Sequence, residues 1–120
     1  TERKMTLKAF YKQNRKDIQH KKIVISERFC DENGKAIVWE IKPLMQKENE
    51  MILKKCRMMQ KGIQQYDYEV MVLAESVVFP DLNSIKLQNN YHVAGKEALL
   101  LEMLTPGEYQ KLKTLIEQLL

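Results

Sequence analysis

Phe79-Pro80-Asp81-Leu82-Asn83, then Leu87-Gln88-Asn89-Asn90-Tyr91, then Gly95, Leu99-Leu100 and Met103-Leu104-Thr105-Pro106-Gly107-Glu108-Tyr109 mark out residues 79–109, the stretch on which the fold turns. Pro80 ends any helix before it, because proline has no amide hydrogen and its ring clashes with the preceding turn. Asn83 or Ser84 starts a short helix carrying Leu87 and Tyr91. Gly95 precedes a second helix, with Ala98, Leu99, Leu101 and Leu104 as its apolar positions. Thr105 and Glu108 have capping-box spacing, with Pro106 at the first helical position. A third helix therefore starts there and carries Leu112, Leu115, Ile116, Leu119 and Leu120 on one side. Tyr109 is placed to pack on the helix before it. The stretch holds helices and caps, with nothing arranged for chemistry.

Upstream, the period changes twice. Residues 67–78 read as a helix capped by Asp67, with Val70, Leu73, Ala74, Val77 and Val78 forming a wide apolar stripe. Residues 45–59 read as another, with Met51, Ile52, Cys56 and Met59 inward. Its early acids, Glu48 and Glu50, and its late bases, Lys54, Lys55 and Arg57, suit the helix dipole. Residues 61–65 read as a loop. Before Pro43 the pattern alternates instead. Residues 24–29 and 36–41 are expected to pair as antiparallel strands across Asn33-Gly34, which supplies the positive φ angles of a tight turn. Ile37, Trp39 and Ile41 share one face, and Trp39 is expected in the core. Residues 6–13 read as a short helix with Thr6 as N-cap and Leu7, Phe10 and Tyr11 on one face. The expected fold class is α+β: a mainly helical single domain over residues 1–120. It divides into a basic segment at 1–19, one antiparallel β-hairpin at 20–42 and helices over 45–120.

A chain of 120 residues suits one domain with a single core. The net charge of +4 is uneven: residues 1–22 hold eight basic groups against Glu2 and Asp17, a local +6. This arm reads as a solvated segment, as a steering surface for an acidic protein partner, or as a nucleic-acid contact. No aromatic or glycine-rich nucleic-acid module accompanies it. No apolar run approaches the roughly 20 residues that span a bilayer, and Thr1-Glu2-Arg3-Lys4-Met5 lacks the apolar core of a secretory signal, so a cytoplasmic location is expected. Cys30 and Cys56 lack metal or redox spacing and read as packed thiols.

Catalytic signatures are missing. The sequence has no phosphate loop, nucleophile motif or metal-ligand spacing, so no enzyme activity, catalytic residue, metal or cofactor is expected. His20 and His92 read as surface or turn residues, and Asp31 and Glu32 as turn residues. Ser26 and Ser76 have no visible base partner. The seven methionines have two readings, as fillers of core gaps and as a flexible surface for partner helices.

The order of motifs across residues 79–109 resembles the XkdN-like family of phage tail assembly chaperones, from tailed phages and prophages of Gram-positive bacteria. In that family a "YPDL" step leads to an "LQ-x-x-Y" helix, a Gly-started Leu-rich helix and an "ML-x-PGEY" turn; here Phe79 replaces the usual tyrosine. The likeness extends to Arg28-Phe29, Asp31-Glu32-Asn33-Gly34-Lys35 and Trp39-Glu40-Ile41.

The resemblance implies a non-catalytic chaperone that coats the tape measure protein, a long helical rod, until tail tube subunits polymerise around it. It implies action in the host cytoplasm and absence from the mature virion, with the tail tube protein as a further possible partner. Homo-oligomerisation is open. The expected partner-binding residues are Lys8, Lys12, Arg15 and Lys16 on the arm, with Leu115 and Leu119 on the last helix. The alternative is a small basic phage or prophage regulator that binds nucleic acid, although no recognition-helix turn is apparent.

Overall fold

The computed structural model describes residues 2–58 and 66–120. Its elements run α1 (Glu2–Ala9), a 3-10 turn (Lys12–Asn14), β1 (Lys21–Ile23), β2 (Trp39–Ile41), α2 (Gln46–Met58), α3 (Tyr68–Ser76), β3 (Val77–Phe79), α4 (Ile85–Asn90), α5 (Lys96–Met103) and α6 (Pro106–Leu119). The strands form one antiparallel sheet in the order β1-β2-β3. The fold is α+β and mostly helical, as the sequence suggests.

The hairpin exists, but its register differs from simple alternation. At the turn, Cys30 bridges Ala36, and Asp31 Oδ1 accepts from the amides of Asn33 and Lys35 at 2.8 and 3.0 Å. Gly34 alone has positive φ there, at 79°, the geometry of a type I turn closed by a glycine bulge. Below the turn, regular pairing resumes only at Ile23 opposite Trp39. Six residues, 24–29, thus face two, 37–38. The expected strand at 24–29 is instead an excursion that carries Ile25 and Ser26 into the core, where both are buried. Trp39 and Ile41 are buried beneath the helices, while Ile37 faces solvent.

The second departure is at residues 77–78, expected as the end of a helix. α3 stops at Ser76, whose carbonyl accepts from the Lys42 amide at 2.9 Å. Val77, Val78 and Phe79 then run as a third strand beside β2, with a register shift at Glu40/Ile41. Branched and aromatic side chains fit a pleated surface, and the edge of β2 supplies unpaired amides that a helix would leave empty.

One core gathers Ile25, Trp39 and Ile41 from the hairpin, Leu73, Ala74 and Val77 from the α3–β3 unit, and Leu82 from the loop before α4. Leu99, Leu100 and Met103 of α5 join it, with Leu112 and Ile116 of α6. A smaller cluster packs Ile52 of α2 on Met71 and Val72 of α3.

The caps behave as local chemistry dictates. Ser84 Oγ accepts from the Leu87 amide, Gly95 precedes α5 at φ 95°, and Thr105 with Glu108 closes a full capping box. Asp67 stands at the N-cap of α3 without a side-chain cap bond.

Several inward assignments are corrected. Met51 and Leu101 are exposed, and Leu100 takes the buried position expected of Leu101. Cys30 is an exposed thiol rather than a packed one, and Cys56 is half-buried. α1 begins before Thr6, so Thr6 lies within it and is not its cap. The assignments of Met59 and of a loop at 61–65 lie outside the described residues.

Candidate partner-binding surface

Two surfaces stand apart from the core. The first is the N-terminal arm. Every described side chain from residue 6 to residue 20 is exposed, including Phe10 at 78% and Leu7 at 57%. Leu7 and Lys8 lie in the last turn of α1, and Phe10 and Tyr11 follow its end, where Tyr11 takes extended backbone before the 3-10 turn. Lys12 opens the 3-10 turn and Arg15 caps it. Arg15 and Lys16 then line an open cleft of about 610 Å³ with Asp17, Ile18, His20 and Met45. At the arm's root, His20 Nδ1 lies 3.0 Å from Glu40 Oε2 on β2. The four basic residues expected to meet a partner therefore stand together on one exposed segment.

The second surface is a groove between α3 and α6. Its floor is Val72, Leu73 and Ile116, all buried, and its walls include Tyr68 and Leu120, which are exposed. The cavity is about 310 Å³. It continues past Tyr68, Val72 and Leu120 into a second hollow of about 270 Å³ bordered by Leu44, Gln46 and Asn49. The Tyr68 hydroxyl donates to Asn49 Oδ1 and ties the α3 wall to α2. The rim is acidic: Glu69 and Glu117 flank Lys113, whose Nζ lies 3.1 Å from Glu69 Oε1. These carboxylates keep the Lys113 ammonium above its ordinary value, the Glu69 hydrogen bond first and Glu117 by charge alone. Burial raises the nearby Tyr109 phenol, with the charges of Glu69 and Asp67 adding to it.

Leu115 and Leu119 do not open into this groove. Both are partly buried and pack on the main core. Neighbouring positions on α6, Ile116 and Leu120, line the groove instead. On α3 the residues missed from sequence are Tyr68 and Val72. A helical stripe chosen to face one core cannot report a second apolar line on the opposite side, and an aromatic residue at a helix start was the available clue.

A third hollow, about 490 Å³, lies on the outer face of the sheet among Lys22, Val38, Glu40, Val78 and Phe79. The buried serines are occupied: Ser76 Oγ donates to the Val72 carbonyl at 2.8 Å, and Ser26 Oγ accepts from the Arg28 amide at 3.2 Å. Among the described residues, no three His, Cys, Asp or Glu side chains converge as a metal site. No described helix is long and apolar enough to cross a membrane.

The family described as phage XkdN-like tail assembly chaperone protein matches residues 7–120. The crystal structure of the protein YqbN, a structural genomics target, superposes with a TM-score of 0.79 at 17% identity, covering 92% of each chain. At that identity the likeness concerns the fold alone. No curated protein matches the chain.

Proposed function

The chain belongs to the phage XkdN-like tail assembly chaperone family, and from that premise we propose that it holds the tape measure protein in solution before the tail tube polymerises. Family membership supports a part in phage tail assembly and a non-catalytic role; the particular client is our reading. The observation that carries it is the α3–α6 groove, in which the exposed apolar walls Tyr68 and Leu120 stand over a buried floor of Val72, Leu73 and Ile116. A long helical rod exposes an apolar stripe until it is enclosed, and such a stripe enters a groove of this kind as a helix-in-groove contact.

The arm has a separate part. Lys8, Lys12, Arg15 and Lys16 raise the rate of encounter with acidic segments of the client by long-range attraction, whereas the groove, which takes its apolar stripe, governs how long the complex lasts. A shallow site without a deep anchor lets tail tube subunits displace the chaperone. In this reading the protein works in the host cytoplasm and leaves before the virion is complete.

Co-expression with the tape measure protein of the same phage tests the proposal. Soluble client and a co-purifying complex are expected, with both lost in Leu120→Asp, an exposed change in the groove wall, but kept in Ile85→Asp, an exposed change away from the groove. A chain that ignores the client and binds duplex DNA with a steep salt dependence would transfer the assignment to the nucleic-acid class.

A further inference from the structure

The arm and the groove are complementary to each other. The arm presents Leu7, Phe10 and Tyr11 to water, and residues 3–16 contain six basic groups and no acid. The groove presents the apolar walls Tyr68 and Leu120 and a rim of Glu69 and Glu117, with Asp67 just before Tyr68. Among the described residues its single lining cation, Lys113, is already engaged by Glu69. Apolar surface would meet apolar surface, and positive would meet negative.

The arm does not occupy its own groove. Its root is held at β2 by His20 and Glu40, and its side chains remain in solvent. The chain is correspondingly drawn out, with a radius of gyration of 17.6 Å and a longest extent of 59 Å; a compact chain of this length would have a radius near ~14 Å. We infer that residues 7–18 of one copy dock in the α3–α6 groove of a second copy, and that the exchange is reciprocal. The exchange supplies two equivalent arm–groove contacts related by a two-fold axis, so the loss of one weakens the pair without abolishing it. The groove is then covered while no client is present.

This self-association stands on the client-free protein; only displacement by a client rests on the reading above. Light scattering and sedimentation of the full chain are expected to show a monomer–dimer equilibrium that weakens as salt rises. Phe10→Asp in the arm and Leu120→Asp in the groove should each weaken the dimer by about tenfold or more. Both positions are exposed, so both variants should keep the parent's thermal melt, which checks that they fold. Mixing the two variants should restore association, weaker than in the parent, because the intact arm of one meets the intact groove of the other. Lys12→Glu should likewise weaken the dimer, and Glu117→Lys in the partner copy should recover it.

The inference is overturned if the full chain remains a monomer up to about 100 µM, or if the dimer persists in both variants. It is also overturned if the mixed variants fail to associate, since that outcome leaves the arm folding back within its own chain. Client capture measured separately is unaffected by any of these outcomes.

Discussion

Arg28 and Glu108 form a two-pronged ion pair across eighty residues of sequence, Nη2 to Oε1 at 2.6 Å and Nε to Oε2 at 3.2 Å. The same Arg28 Nη2 donates to the Met103 carbonyl at 2.6 Å, at the last residue of α5. Glu108 Oε1 also accepts from the Thr105 amide at 2.9 Å, which makes it half of the α6 capping box. One carboxylate thus starts a helix and fastens the hairpin excursion to it. Arg28 also lies over the Phe29 ring, 5.2 Å from its centroid, and Phe29 in turn contacts Trp39.

This pairing has a pH signature. Arg28 first, then Ser26 and Thr105, holds the Glu108 carboxyl well below the usual carboxylate range, against a smaller opposing effect of burial. An unfolded glutamate titrates near ~4.3. The ionised group therefore contributes its stabilisation in full above that value and loses it as pH falls toward the depressed folded value. Glu108→Gln should lower the melting temperature at pH 7 and flatten its decline below about pH 5. Glu48, lowered by the Met45 amide and Lys42, works in the same direction, so the slope should shrink without vanishing. Melts of both proteins across pH 2–7 decide, and parallel curves would reject the coupling.

Thr105→Ala removes the acceptor for the Glu108 amide, which lies 3.3 Å from Oγ1. The expected loss is about 1 kcal/mol, the ordinary worth of an N-cap. Thermal or urea melts measure it, and coincident midpoints would contradict the cap.

Trp39 is 1% exposed in the centre of the core. Trp39→Ala should cost about 3–5 kcal/mol, and Trp39→Phe distinctly less, because a ring refills most of the cavity. Urea unfolding followed by circular dichroism reads both, since the substitution removes the chain's single tryptophan. A loss below ~1 kcal/mol for the alanine variant would place Trp39 outside the core.

Three leucines of α6 should rank by burial. Leu112 is fully buried, and its replacement by alanine should cost about 2–5 kcal/mol. Leu115→Ala and Leu119→Ala, half-buried on the same core, should each cost less but remain measurable. If they leave stability unchanged while lowering client capture, Leu115 and Leu119 belong to the partner surface instead.

Replacing Lys8, Lys12, Arg15 and Lys16 together by alanine should leave core stability within about 0.5 kcal/mol, because all four are exposed on the arm. It should slow association with an acidic client and flatten its salt dependence more than it speeds dissociation. Stopped-flow binding at two ionic strengths separates these effects. Unfolding of the body would instead mean that the arm is part of the core.

What the sequence determined by itself is what a few neighbouring residues decide. Thr105, Pro106 and Glu108 contain a helix start; Asp31 and Gly34 contain a turn; the alternation around Trp39 contains a strand. These rest on bonds spanning two to four residues, so any context that allows them gives the same result.

Tertiary structure decided everything whose partner is distant. Val77 and Val78 continue a helical stripe, yet the open edge of β2 turns them into a strand. Residues 24–29 alternate like a strand, but core space near α5 and α6 takes Ile25 and Ser26 inward and leaves Arg28 to meet Glu108. Leu115 and Leu120 lie on one apolar stripe, and only the placement of α3 sends the first to the core and the second to the groove. The reason is physical: local hydrogen bonds compete within a few residues, whereas burial and edge pairing depend on which surfaces the rest of the chain brings near.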